Sequence, residues 1–190
     1  MSEARLRHFA ALVEKWSAKI NLVSKADVPH VWERHIQDSL RLLLYVPAGT
    51  ERAIDLGSGA GFPGLVLCIA TGIPFDLIES DSRKAAFLKE AARQTGAPAK
   101  IHNTRIEVAE VAPAALVTAR ALAPLDKLLG LAAPHLAPGG ICLFPKGRMA
   151  GDELTAVSPL WHMDVERISA PALGDSCILK VSQLSHAGPD

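Results

Sequence analysis

The chain has little of several things that would fix its class at once. It has three cysteines and one tyrosine in 190 residues, and its 20 basic side chains are balanced by 20 acidic ones. Cys68, Cys142 and Cys177 are odd in number, far apart and set among apolar neighbours. They read as small buried hydrophobes in a reducing compartment, not as a disulfide framework. The histidines form no HxxxH pair and the cysteines no CxxC pair, so no metal site is expected. Apolar runs fall short of the roughly 20 residues a bilayer-spanning helix needs. The first twenty residues carry Glu3, Arg5, Arg7, Glu14, Lys15 and Lys19 in place of a signal-peptide core. A cytoplasmic protein with no membrane partner is expected. Non-specific duplex binders usually carry a basic excess, but a neutral chain can gather its positive charge on one face, so the balance neither proclaims nor excludes a nucleic-acid partner; a DNA partner is not expected. Composition leaves other substrates open.

What is present suits a folded domain: 49% hydrophobic and 21% charged residues, with no low-complexity segment or Pro/Gly/Ser linker to divide it. Leu6, Phe9, Val13, Trp16 and Ile20 recur at helical spacing over residues 3–20. Asp27 reads as the N-cap of a second helix with Pro29 in its first turn. There Val31, Trp32, Ile36, Leu40, Leu43 and Leu44 would face inward, and Pro47 and Gly49 end the segment. Residues 1–48 are thus expected to form a helical extension, and 49–190 the main globular unit.

From residue 52 the rhythm becomes strand, loop, helix, strand. Strands are expected at 53–56, 75–79, 99–103, 115–120 and 140–144, with helices at 63–71, 82–95 and 125–136. Met163 to Ile168 and Cys177 to Val181 would form an antiparallel edge hairpin. Strands alternating with helices imply a mostly parallel sheet covered on both faces, an α/β Rossmann-like fold.

Asp55-Leu56-Gly57-Ser58-Gly59-Ala60-Gly61-Phe62-Pro63-Gly64 joins the first strand to its helix, where open α/β sheets bind nucleotide-like ligands. Glycines allow a tight turn and a close backbone approach. Gly59, Gly61 and Gly64 match the dinucleotide fingerprint, which seats pyrophosphate on the helix N-terminus. Glu79, ending the second strand, suits a ribose in either reading. Asp55 separates them. A carboxylate at the loop mouth would repel pyrophosphate by about 4 kcal/mol at 4 Å and an effective dielectric of 20. The same carboxylate would hold the sulfonium and ammonium of S-adenosylmethionine (SAM), directly or through water. A structural glycine turn with no ligand is the bland alternative.

Beyond the loop, the chain resembles the RsmG (GidB) family of small-subunit ribosomal RNA (guanine-N7) methyltransferases. The resemblance runs through Ile20-Asn21-Leu22-Val23-Ser24, Arg34-His35-Ile36-Gln37-Asp38-Ser39, the glycine loop and Glu79-Ser80. It continues through Arg105-Ile106-Glu107, Ala119-Arg120-Ala121 and Pro145-Lys146-Gly147. The chain departs from the family in a short N-terminus and in lacking extra basic residues over 170–180. The resemblance implies a class I SAM-dependent methyltransferase fold. Asp55 and the glycines Gly57, Gly59 and Gly61 belong to its SAM loop. It further implies a SAM site lined by Gly57, Phe62, Ile106, Glu107 and Arg120, with Glu79 on the ribose hydroxyls. The substrate it implies is 16S ribosomal RNA of the small subunit; apart from the resemblance, a monomer is expected.

Each residue also has a plainer reading. Phe62 and Ile106 fit a core, and Glu107 a helix start. Arg34 and Asp38, four apart, fit a local ion pair. Lys146 fits a solvated loop, and Trp16 and Trp32 fit a core stripe. Arg120, ending an apolar strand, is costly unless paired. Guanine N7 carries no proton, so methyl transfer to it needs no general base, and catalysis rests on positioning. Arg120, Lys146 or Arg148 would orient the base through N7 and O6, and Arg34 and His35 are further candidates for contact with RNA. The rivals are a SAM methyltransferase for another RNA or a small molecule, an NAD oxidoreductase, and a ribosome-assembly factor without turnover.

Overall fold

The computed structural model describes residues 2–169 and 176–188; residues 170–175, part of the stretch expected to lack basic side chains, lie outside them. Seven strands form one sheet: β1 (Ala53–Leu56), β2 (Phe75–Ile78), β3 (Ala99–His102), β4 (Ala114–Thr118), β5 (Leu136–Lys146), β6 (Trp161–Ser169) and β7 (Cys177–His186). Their order is β3-β2-β1-β4-β5-β7-β6. The first five are parallel, and β7 runs antiparallel to both β5 and β6. Every residue of β1 and β2 is buried, so neither shows the alternation of a half-exposed strand, and each carries one buried aspartate, Asp55 or Asp76, among its apolar residues.

Two cores flank the sheet. Ala53, Phe75, Leu77, Leu116 and Leu143 face one core with α1 (Ser2–Ser17), α3 (Gly64–Thr71) and α4 (Ser82–Thr95). Ile54, Leu56, Ile78, Val117 and Cys142 face the other, with α5 (Leu125–Ala132) and α6 (Ala150–Val157). The crossovers therefore change face between β1 and β4. That switch point is where an open α/β sheet leaves a crevice at the carboxyl ends of its strands.

The expected first helix is α1, with Leu6, Phe9, Leu12 and Val13 buried. Phe9 lies 5.6 Å from Phe62 and 6.2 Å from Phe87 between ring centroids. Arg5 donates to the carbonyls of Thr95 and Gly96 at 2.6 and 2.9 Å, placing a cation on the carboxyl end of α4. Gly96 ends α4 in the left-handed region, at φ 62°. The N-terminal helix is thus fastened directly to the main sheet's helical layer.

The second expected helix is not one helix. Residues 28–45 form a 3-10 turn (Val28–His30), a π turn (Trp32–Ile36), the short α2 (Gln37–Leu40) and a 3-10 turn (Arg41–Tyr45). The π turn takes up more residues per turn and the 3-10 turn fewer, so the buried stripe loses its 3.6 period. Leu42 is buried, whereas Leu44, expected inside, is 82% exposed. Asp27 makes no cap; its backbone is helical and its carboxylate accepts from Ser24 and Arg34.

Further along, Pro134 ends α5 early in a 3-10 turn, and β5 begins at Leu136 rather than near 140. β4 stops at Thr118, so Arg120 lies on the following loop and not at the strand end. The helix α6 falls where the sequence reading has no element. The expected hairpin is present as β6 and β7, with β6 alone at the edge. Among the described residues no helix is long and apolar enough to cross a membrane.

Candidate cofactor and acceptor site

The glycine loop leaves β1 with Gly57, Gly59 and Gly61 at φ 62°, 56° and 91°, conformations that a side chain would strain. The three do different work. A Cβ on Gly59 would meet nothing nearer than the Gly57 carbonyl at 3.8 Å, so this glycine faces open space. A Cβ on Gly61 would strike the Phe9 ring and Leu65 at 3.0 Å. Gly61 therefore lets α1 pack onto the loop and does not line the cavity beside it.

Asp55 is a correction to the sequence reading. It is fully buried beneath the loop, its Oδ1 accepting from the Thr118 hydroxyl at 2.6 Å. A Cβ on Gly64 would fall 2.4 Å from the Asp55 Cβ. Burial pushes the Asp55 carboxyl up to about 6, although hydrogen bonds from Thr118 and Ser58 work the other way. Because its side chain turns into the protein, it does not line the cavity and cannot hold a ligand's cations directly.

Glu79, not Asp55, is the carboxylate that a pyrophosphate would meet at the loop. This residue is 7% exposed and does line the cavity. Its Oε2 accepts the Gly59 amide at 2.7 Å and its Oε1 the Asp81 amide at 2.7 Å. The Gly61 amide is spent on the Ser58 carbonyl, and the Leu65 amide on that of Gly61. The Gly59, Gly61 and Leu65 amides are thus not free to cradle a phosphate at this helix start. Each Glu79 oxygen keeps a lone pair for a hydroxyl.

The cavity occupies about 510 Å³, within the range of small-molecule sites. Gly57, Gly59, Phe62, Glu79, Ile106, Glu107 and Arg120, the residues expected at a SAM site, line it, and so does His35, expected instead against RNA. Leu22, Asp27, Lys84 and Leu122 also line it, none of them expected as a site residue. Glu107 sits in a three-residue 3-10 turn with Ile106, so it starts no longer helix. Its hydrogen bond from Arg105 holds its carboxyl below the usual range. Hydrogen bonds from Ser24 and Arg34 do the same for Asp27.

Phe62 proves to be both core anchor and cavity wall. Its ring stacks on His35 with centroids 5.0 Å apart, and the Arg120 guanidinium lies 5.0 Å from its centre. Arg120 also donates to His35 Nδ1 at 3.0 Å and to Asp38 at 3.3 Å. A guanidinium only donates, so His35 Nδ1 must accept, which leaves its proton on Nε2. Burial, and then the Arg120 charge, pull the His35 ring down to about 4. His35 is therefore neutral at neutral pH.

The local pair between Arg34 and Asp38 does not form. Arg34 is exposed, binds Asp27 and lies outside the cavity wall, while Asp38 reaches across 82 residues to Arg120. Lys146 is not a solvated loop residue. Its Nζ lies 2.5 Å from Glu153 Oε2 and 3.2 Å from the Ala123 carbonyl. It lines a second cavity, also about 510 Å³, which shares Arg120, Ala121, Leu122 and Ala123 with the first. The strip between the cavities holds Ala121 at φ 52°, a strained conformation for a residue with a Cβ. Arg148 is exposed and lines neither cavity.

Residues 2–178 match the model of a family described as rRNA small subunit methyltransferase G. The chain belongs to that family. Members use SAM. The ribosomal RNA small subunit methyltransferase G of Rhodospirillum centenum is 54% identical over 97% of this chain and 85% of its own length. The protein of the same name from Gluconobacter oxydans is 51% identical, over 96% and 94%. Among solved structures, the N-methyltransferase NodS of Bradyrhizobium japonicum, in complex with S-adenosylhomocysteine, superposes with a TM-score of 0.59. It is 14% identical over 88% of this chain and 95% of its own, a likeness of fold alone. The family and the fold both agree with the sequence reading of a class I SAM-dependent methyltransferase.

Proposed function

We propose that the chain transfers a methyl group from SAM to N7 of one guanine in 16S ribosomal RNA of the small subunit. The observation that carries this is the state of His35. Among the described residues it is the one imidazole on the wall of the first cavity, its Nδ1 is engaged by Arg120, and burial makes the ring a weak base. An acceptor that must lose a proton would need a base there. Guanine N7 needs none.

The first cavity suits SAM chemically. Glu79 offers acceptors for the ribose hydroxyls, the open face of Gly59 admits close approach, and Leu22, Ile106 and Leu122 offer apolar surface. Asp27 and Glu107 are carboxylates within reach of a ligand's cationic end. When bound, SAM supplies an electrophilic methyl on a sulfonium that departs as a neutral thioether. This chain's part is to align donor and acceptor across the Arg120–Ala123 strip, which supplies roughly 7–11 kcal/mol in well-oriented reactions. Arg120, pinned by Asp38 and by the Phe62 ring, is the positioning group nearest both cavities, and Lys146 stands in the second. Arg34, His35 and Arg148 remain candidates for contact with RNA. The protein is read as a cytoplasmic monomer with no DNA partner, its residues 1–48 extending the 49–190 domain.

The test is transfer of labelled methyl from SAM to small-subunit RNA, as particles and as naked RNA, from a strain lacking this protein. Chemical cleavage at N7-methylguanine maps the product. Label at a single guanine is expected. An absence of label with SAM still bound would overturn the acceptor and turn attention to another RNA or a small molecule.

A further inference from the structure

The second cavity belongs to no cofactor reading, and its polar groups are arranged in a definite way. We infer that it receives the acceptor base, and that Lys146 and Glu153 together select guanine by reading its O6 and N1–H edge. This rests on the guanine reading above.

Pro124, Pro145 and Ile178 give the cavity apolar surface, while Asp38, Lys146 and Glu153 are polar. The Lys146 and Glu153 side chains are only 11% and 25% exposed and touch at 2.5 Å. Glu153 Oε2 takes both the Lys146 ammonium and the Leu125 amide, the latter at 2.7 Å. Its Oε1 receives no donor among the described residues. The cavity wall thus presents an ammonium, which only donates, beside a carboxylate oxygen, which only accepts.

Guanine carries an acceptor, O6, next to a donor, N1–H. Adenine carries the reverse, a donor amino group next to an acceptor N1. The couple therefore matches guanine and leaves two mismatched polar groups against adenine, the costly arrangement in a half-buried site. In guanine, O6 lies between N1 and N7. A base held by O6 and N1–H therefore keeps N7 free of the couple, and the cavity it occupies borders the cofactor cavity along the Arg120–Ala123 strip.

Glu153 also has a structural task, accepting the Leu125 amide at the start of α5. The test must separate the two roles. Once the methylated guanine is mapped, RNA is prepared with that position as guanine or as 2-aminopurine, which keeps N7 but lacks O6 and N1–H. Wild type should prefer guanine by about tenfold to a hundredfold, the value of a good base contact. Glu153→Gln keeps an acceptor for Leu125 and loses the charge. It should reduce that ratio to within about threefold, with SAM affinity unchanged by calorimetry. If guanine turnover falls but the ratio stays at its wild-type value, Glu153 only holds α5 and the inference is overturned. Should Glu153→Gln fail to bind SAM, Lys146→Gln is read for the same ratio and must show the same collapse. If wild type places no methyl on guanine N7 at all, the acceptor reading itself fails, a result distinct from an unchanged ratio.

Discussion

Asp55, Arg120 and Glu79 show how far a charged side chain's role depends on what surrounds it. Burial pushes the Asp55 carboxyl up to about 6 from an ordinary 3.8. A carboxyl raised by the fold contributes stability that is fully present below the ordinary value and is lost as pH rises through about 6. Asp55→Asn does not titrate. The stability of wild type minus that of the variant should therefore fall by on the order of 3 kcal/mol between pH 4 and pH 7. Denaturant unfolding at the two pH values measures this, and a flat difference would refute it. Arg120 touches Asp38, His35 and Phe62 together, so Arg120→Ala should lower RNA methylation by about tenfold or more. Turnover and SAM affinity both near wild type would exclude Arg120 from the site. Glu79→Ala should weaken SAM binding in calorimetry by about tenfold, as loss of a charged acceptor does, with RNA affinity little changed. Equal SAM affinity would refute the ribose assignment.

At the scale of elements, the join between β1 and α3 is the tightest point of the site. Gly64 opens α3 directly over Asp55, and its missing Cβ leaves 2.4 Å to that side chain. Gly64→Ala puts a Cβ against the Asp55 Cβ, which no change of rotamer can move away. We expect a loss of about 2–3 kcal/mol in unfolding free energy, typical of overpacking. An unchanged denaturation midpoint would show that the loop yields easily. The same join explains why the fourth glycine matters although it faces no ligand. The segment 28–45 teaches the opposite lesson. Its apolar residues sit at helical intervals, yet π and 3-10 turns displace Leu44 to solvent. Periodicity reports that a segment is helical far better than it reports how each turn is wound.

Across the whole molecule, function gathers at one end of the sheet and fastening at the other. Asp76 in β2 accepts from Arg52 and from His102, each at 2.6 Å, and Arg52 also donates to the carbonyl of Pro113 ahead of β4. Burial raises the Asp76 carboxyl, but the His102 and Arg52 bonds outweigh it, and the net shift is downward. Such a group stabilises above its ordinary pKa, and that stability disappears as pH falls through the lowered folded value. Asp76→Asn should cost on the order of 3 kcal/mol at neutral pH, as breaking a largely buried pair does. The cost should vanish in acid, and SAM affinity should be untouched. A loss of SAM binding without a loss of stability would contradict this division of the sheet.

By itself, the order of residues determined the α/β class, the glycine loop, the acid at the end of β2 and the antiparallel pair at the carboxyl end. All are local: they follow from strand-length apolar runs, from glycine's access to positive φ and from motif spacing. Only the tertiary structure decided that Asp55 is buried, that Asp38 pairs with Arg120 rather than with Arg34, and that Lys146 pairs with Glu153 on the wall of a second cavity. Glu153 left no trace in the sequence, because it lies seven residues from Lys146 across a loop and 28 from Leu125. A charged group takes whichever partner the fold brings near while water is excluded, and neither proximity nor dehydration is written in the local sequence.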